Sequence, residues 1–441
     1  MSLQKLLAER VERAGPIRVG LVGAGKFGSM FLSQIPTTPG VEVAMIADLD
    51  PDRARAACRN VGWSEERIAA TRFVDDGERL AADDAVEVVL EVTGHPAAGI
   101  RHARASFAHG KHVVMVNVEA DVLVGPLLAR EAASAGVVYS MAYGDQPALT
   151  CELVDWARSC GFDVVAAGKG TKYRPHFHAS TPDTVWDHYG LTAEQARAAG
   201  MNSQMFNSFL DGTKSGIEMA AIANATGLTP APDGLAFPPC GTDDLPRVLR
   251  PREVGGQLHH KGQVEVVSSD ERDGRAVFKD LRWGVYVVLE APNDYAAQCF
   301  RQYGLVTDAS GRYAAMFKPY HLIGLELNVS VLNAVLRGEA TGATESFRAD
   351  VVATAKRDLA VGETLDGEGG FTVWGKLAPA SASLAMGGVP IGLAHGIKLN
   401  RPVAAGQPVR WADVDAGAES EALRARRDME ALFRAELENA A

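Results

Sequence analysis

Cysteine is scarce and unpatterned in this chain. Five residues, Cys58, Cys151, Cys160, Cys240 and Cys299, are scattered with no C-x-x-C pair. An odd, unspaced set excludes a disulfide framework and implies reduced thiols, so the expected compartment is the cytoplasm. Long apolar runs are missing too. None reaches the ~18 residues that a membrane span needs, and Met1 to Gly15 is charged throughout, without the apolar centre of a signal peptide. Net positive charge is also lacking: Lys and Arg number 44 against 55 Asp and Glu, a formal net charge of −11. Such a chain gains no counterion release from phosphate backbones, which argues against nucleic acid as a partner. Charged residues make up 22% and hydrophobic residues 47%, close to a soluble globular average, so broad disorder is excluded. At 441 residues, two or three domains are expected.

What is present begins with a short amphipathic helix carrying Leu3, Leu6, Leu7 and Val11 on one side. The run Ile17 to Val22, rich in branched residues, then suits a strand buried on both faces. It leads directly into Gly23-Ala24-Gly25-Lys26-Phe27-Gly28, which matches G-x-G-x-x-G, and a helix is expected from Ser29 to Ile35. Each glycine has a physical task. Gly23 permits the tight turn, Gly25 lets backbone approach a pyrophosphate, and Gly28 lets helix pack on strand. The pyrophosphate would lie on the N–H groups and positive dipole of the helix start.

A second apolar run, Val41 to Ala47, ends in Asp48. A carboxylate at that strand tip accepts from adenosine ribose hydroxyls and favours NAD, whereas Arg53 and Arg55 just beyond could neutralise the 2′-phosphate of NADP. Asp48 also reads as a helix N-cap before Pro51. Further strands are expected at Val86–Val92, His112–Asn117 and Val137–Met141, with helices between them. This alternation predicts an α/β fold with a doubly wound parallel sheet over residues 1–145. Ligands bind beyond the carboxyl ends of such strands, which places Thr93, Gly94, Asn117 and Glu119 at the nicotinamide end of a dinucleotide.

Past Pro147 the pattern changes. A helix is expected over Ala148–Cys160, then an apolar strand that delivers Lys169 and Lys172 into a glycine-bearing loop. Lys172 to Tyr189 lacks periodicity and reads as a long loop, a type more often functional than not. Asp211, Lys214 and Glu218 are spaced by three and four, so on a helix they share one face. That face is either a solvated salt-bridge stripe or, because the flanking residues are apolar, a covered site whose lysine acts as acid or base. His176 with His178, and His259 with His260, have no third ligand at diagnostic spacing, so no metal site is expected. The stretch Leu322 to Leu336 is apolar on most sides (Leu325, Leu327, Val329, Val331, Leu332 and Val335), more than one monomer face needs, so a homo-oligomer, dimer or tetramer, is expected. Residues 146–350 form the expected central domain. Short strands broken by Gly and Pro over 351–417 suggest a β-rich module, and 418–441 a charged helix at an edge or dimer contact.

Several phrases together resemble homoserine-dehydrogenase-like bacterial oxidoreductases over almost the whole chain: Gly110 to Asp121, Tyr143-Gly144-Asp145-Gln146-Pro147, Ala167-Gly168-Lys169-Gly170 and Asp211-Gly212-Thr213-Lys214. The tail from about residue 351 looks like a SAF domain, a module also found in sialic-acid synthases and flagellar P-ring chaperones. The resemblance implies a Rossmann domain, a central α+β catalytic and oligomerisation domain, and that appended module. One similar branch, the deoxyxylulose-phosphate-reductoisomerase-like enzymes, rearranges and reduces a sugar phosphate with NADPH. True homoserine dehydrogenases place a lysine just after the strand that here ends at Asn117. This chain has Val118-Glu119-Ala120 instead, so an acting lysine must come from the middle domain, which points to Lys169 and Lys214.

The combined expectation is an NAD- or NADP-dependent oxidoreductase acting on a small hydroxylated or phosphorylated carbonyl or alcohol, with or without coupled isomerisation. Lys169 or Lys214 would polarise or protonate the reacting oxygen, with Asp211 and Glu218 orienting the lysine. Homoserine-type oxidation and a non-catalytic dinucleotide-binding regulator are the alternatives.

Overall fold

The apolar runs of the first 141 residues become six strands: β1 (Ile17–Val22), β2 (Val41–Ala47), β3 (Arg72–Val74), β4 (Val88–Glu91), β5 (His112–Met115) and β6 (Tyr139–Met141). Every neighbouring pair is parallel, in the order β3-β2-β1-β4-β5-β6. This is the doubly wound order, in which the chain reverses direction across the sheet between β1 and β4. The structure, a computed structural model, describes residues 2–440. All of β4 and all but one residue of β1 are buried, as helices on both faces require. Among the described residues no helix is long and apolar enough to cross a membrane.

The chain divides into two units. One comprises Met1–Glu152 and His321–Glu345, the other Leu153–Tyr320 and Ser346–Ala441. The segment expected to close the central domain therefore packs with the Rossmann sheet. Its helix is Asn328–Arg337, and Leu327, Val331 and Leu332 join Ile17, Val19 and Leu90 in one apolar cluster, with Val335 packed against it. The helix Leu3–Ala14, capped by Ser2, adds Leu7 to the same core. Leu327, Val331 and Leu332 of this stretch are thus covered within the chain, whereas Leu322 and Leu325 stay exposed. Thr344 ties the segment down by donating to the buried Asp121 carboxylate.

In the second unit, β7 (Asp163–Thr171), β8 (Gln263–Ser268), β9 (Val285–Glu290), β10 (Val306–Thr307) and β11 (Tyr313–Lys318) form a mixed sheet in the order β10-β11-β9-β7-β8. Only β7 and β8 are parallel, so a long crossover must join them. Part of that crossover is the stretch expected as a loop. It contains two short helices, Pro175–Ala179 and Val185–Tyr189, anchored by Phe177, Val185 and Trp186 in a small core with Ala196 and Leu210.

The crossover also holds the helix Thr213–Thr226, whose residues are buried on nearly every side. A helix buried nearly all round must lie between layers. This one packs against β7 and β8 and also against β12 (Ala349–Ala355) and β14 (Val373–Pro379), an antiparallel pair of the β-rich tail. The second small sheet of the tail runs β13 (Thr364–Asp366), β15 (His395–Leu399), β16 (Val414–Asp415). The final helix is Glu421–Ala440, the charged helix expected at an edge or dimer contact. One face of it is buried: Arg426 is fully buried, with Nη2 2.5 Å from Asp350 Oδ2, beside buried Leu423, Met429 and Phe433.

Candidate functional site

The glycine loop has the geometry that its three tasks demand. Gly23 has φ +100°, a left-handed value that favours glycine. A Cβ on Gly28 would run into the carbonyl oxygen of Gly23, so this residue sets how closely helix approaches strand. A Cβ on Gly25 would meet no protein atom within 4 Å. Gly25 is the N-cap of the helix Lys26–Gln34, and no side chain caps that helix, so its first-turn N–H groups remain suited to an anion. Ala24 is buried, whereas Lys26 is exposed and Phe27 half-buried. These residues fit a dinucleotide pyrophosphate.

Asp48, at the tip of β2, is buried. Its Oδ2 accepts from Ala24 N at 2.9 Å, and its Oδ1 from Asp50 N at 3.1 Å and Arg53 Nη2 at 2.6 Å. Burial alone would raise its carboxyl, but the Ala24, Asp50 and Arg53 bonds outweigh burial and hold it below the usual range. The alternative of Asp48 as helix cap fails, because Asp50 caps Pro51–Asn60. Arg55 turns along its own helix to Asp52 and over the Phe73 ring.

At the carboxyl end of β4, Thr93 donates to Glu91 Oε1 at 2.6 Å, and Asn117 Nδ2 reaches Thr93 Oγ1 at 3.4 Å and His95 O at 3.1 Å. Asn117 also caps the helix Val118–Ser134, whose first turn carries Glu119. Gly94 has φ +69°. Thr93, Gly94 and Asn117 thus converge at the strand ends. Glu91, which sequence reading passed over, is their centre. It is fully buried, it contacts His102 Nδ1 at 3.0 Å, and its Oε2 has no hydrogen-bond partner. Its only signal in the sequence was a carboxylate inside an apolar strand.

In the second unit the structure pairs Lys169 of β7 with Glu218 of the helix Thr213–Thr226, both nearly buried. The expected common face of Asp211, Lys214 and Glu218 does not form. Asp211 ends the preceding helix Ser203–Leu210, and Gly212, at φ +94°, turns the chain before the next helix begins. Lys214 and Glu218 share that helix, with Lys214 half-buried. The fully buried Asp211 carboxylate instead accepts from Thr213 N at 2.9 Å and meets Lys356 Nζ at 2.8 Å, from the β-rich tail. Burial holds the Asp211 carboxyl above its ordinary value, against the pull of Lys356.

Further residues gather here that were not singled out as catalytic. His178 Nδ1 lies 2.7 Å from Asp211 O, and Tyr173 OH lies 3.0 Å from His178 Nε2. A carbonyl only accepts, so in the neutral ring Nδ1 carries the proton and Nε2 accepts from the tyrosine. Burial lowers the His178 pKa, and Lys376 and Lys356 add to that effect. Trp374 stacks on His178 at 3.9 Å and Phe237 on Tyr173 at 4.0 Å. Phe237 has φ +50°, an uncommon value for a bulky residue, and its N–H donates to Glu265, as does that of Ala236. Complete burial pushes the Glu265 carboxyl up to about 7 despite those bonds. His176 packs against the Phe177 and His188 rings. Among the described residues no group of three or more His, Cys, Asp or Glu is placed to hold a metal ion.

Three family models match different parts of the chain. "Oxidoreductase family, NAD-binding Rossmann fold" matches residues 17–116, "Oxidoreductase DRL, catalytic domain" residues 144–327, and "SAF domain" residues 350–415. No curated protein matches the sequence. Among solved structures, a homoserine dehydrogenase from Thiobacillus denitrificans is 19% identical over 48% of this chain and 49% of its own, with a TM-score of 0.36. A myo-inositol dehydrogenase from Lactobacillus casei is 16% identical over 38% and 50%, with a TM-score of 0.29. A putative oxidoreductase from Klebsiella pneumoniae is 16% identical over 75% and 88%, with a TM-score of 0.38. The chain spans about half the length of the first two.

Proposed function

We propose that this protein, an NAD(P)-dependent oxidoreductase, moves a hydride to or from the carbonyl or secondary alcohol carbon of a small hydroxylated or phosphorylated substrate. The observation that carries the reading is the Lys169–Glu218 pair, nearly buried within the segment matched as a catalytic domain. A lysine held by a carboxylate at low exposure is a positioned proton donor, and a positioned acid or base contributes ~10²–10⁴ in rate. Lys169 donates to the substrate oxygen as charge develops on it during reduction, and withdraws that proton in the reverse direction. Glu218 orients the ammonium.

The bound nicotinamide supplies or accepts the hydride. Gly23, Gly25 and Gly28 with the helix Lys26–Gln34 bind the pyrophosphate, and Asp48 binds the adenosine ribose. Because Asp48 stays anionic, NAD is the preferred cofactor. Coupled isomerisation is a second reading. It is favoured by the Tyr173–His178 hydrogen bond, which offers a second proton-handling group in the same unit.

The test is a screen of hydroxy acids, aminohydroxy acids, tetroses and sugar phosphates, followed by absorbance of the reduced cofactor. Turnover of one class is the expected result. Tight dinucleotide binding with no turnover of any class would favour the non-catalytic regulator.

A further inference from the structure

The β-rich tail reads as an appendage in the sequence, yet several of its groups reach the helix that carries Glu218. Lys356, immediately after β12, extends a side chain only 3% exposed into the body of the unit. There its Nζ meets Asp211 Oδ2 at 2.8 Å, Ser180 O at 2.8 Å and Gly370 O at 2.6 Å. The N–H of Gly375 donates to Thr213 Oγ1 at 2.8 Å, at the first turn of the helix. Trp374 lies face to face with the His178 imidazole, the planes 22° apart. Each contact bears on one point. The Asp211 carbonyl that accepts the His178 Nδ1–H hydrogen bond belongs to the residue that Lys356 clamps, and one face of the donating ring is covered by Trp374.

We propose that the SAF-like module is an integral part of the candidate site, with Lys356 and Trp374 as positioning residues that hold His178 with Nε2 open to the Tyr173 hydroxyl. This rests on the oxidoreductase reading for the use made of the dyad, but not for its geometry. A residue clamped by a buried ammonium keeps its carbonyl aimed, and a ring with a fixed Nδ1–H bond has one tautomer. Loss of either support frees the ring to rotate and exchange tautomers.

The test uses the full-length protein labelled with ¹⁵N histidine, with His178→Gln to assign the resonance. Wild type is expected to show a single neutral tautomer for His178, protonated at Nδ1. Lys356→Met and Trp374→Leu are each expected to give averaged or exchange-broadened ring nitrogens. Because Lys356→Met leaves a buried carboxylate alone, Lys356→Met with Asp211→Asn is the companion that keeps the charge balanced. An Nδ1-protonated tautomer unchanged in both Trp374→Leu and the charge-balanced double variant would overturn the proposal. Once a substrate is in hand, the same variants are expected to lose at least tenfold in kcat with KM within about twofold. A failed substrate screen would count against the oxidoreductase reading and leave the tautomer result standing.

Discussion

Arg53 Nη2 lies 2.6 Å from Asp48 Oδ1, so the first basic residue after β2 is turned onto the acid at the tip of that strand. The Asp48 side chain is 2% exposed and that of Arg53 64%, so the acid is held in the fold while its basic partner lies largely in solvent. NAD is expected to bind more tightly than NADP, and Arg53→Ala to widen the gap by about tenfold or more, since like charges at a contact cost several kcal/mol. Dissociation constants for both cofactors in both proteins decide it. A wild type that prefers NADP would show Arg53 released to the 2′-phosphate.

Gly25 and Gly28 separate binding from folding. Gly25 has φ −74° in the extended region and open space around a would-be Cβ, so Gly25→Val is expected to fold normally and lose dinucleotide binding by about a hundredfold. Gly28→Val drives a side chain into the Gly23 carbonyl and is expected to lower the melting temperature of the protein itself. Titration by fluorescence quenching, beside thermal melts, distinguishes them. Wild-type affinity in Gly25→Val would refute the placement of the pyrophosphate.

The carboxyl of Glu265 is ordinarily near 4.5 and is pushed up to about 7 by burial in the folded protein. The folded state therefore holds this proton more tightly than the unfolded chain. Its favourable contribution is complete below pH 4.5 and is lost as pH rises through about 7, a change of about 3 kcal/mol. Glu265→Gln cannot titrate. Urea unfolding at pH 5 and pH 8 should show the variant gaining on wild type by about that amount at the higher pH. A stability difference independent of pH would mean that Glu265 is ionised throughout.

The Rossmann half was legible because its information is local. The run Ile17–Val22, the spacing of Gly23, Gly25 and Gly28, and the acid after the second strand each lie within a few residues of one another, and period and turn chemistry report such signals directly. The second site is assembled from distant pieces. Lys169 meets a glutamate 49 positions away, and Lys356 meets Asp211 across two modules. Helical spacing misled at Asp211, where Gly212 breaks the helix and sends the carboxylate elsewhere. At Leu322–Leu336 the sequence does not say which apolar side meets its own chain: Val331 and Leu332 do, whereas Leu322 and Leu325 stay exposed. Glu91 and Glu265 carried no periodic signal. Buried carboxylates inside apolar strands are intelligible only once their hydrogen-bond partners are known.

The chemical prediction concerns Lys169. It is nearly buried against Glu218, so its replacement removes one half of a desolvated ion pair. Leaving the other half alone costs about 3–5 kcal/mol in stability, and a loss of activity in Lys169→Met by itself would not separate chemistry from unfolding. The informative protein is therefore Lys169→Met with Glu218→Gln, which removes both charges at similar volume and is expected to melt within a few degrees of wild type. Its turnover is expected to fall by at least ~10², the contribution of a positioned proton donor, while dinucleotide affinity stays within about twofold, because the Gly23–Gly28 loop is untouched. Lys214→Met, on the same helix and half-buried, is measured alongside and is expected to show a similar loss if it too reaches the reacting oxygen. Steady-state kinetics and cofactor titration on the three proteins provide the answer. Turnover within a few-fold of wild type in all of them would remove both lysines from the mechanism, and the proton would then have to pass through Glu119, Asp145 or the Tyr173–His178 dyad.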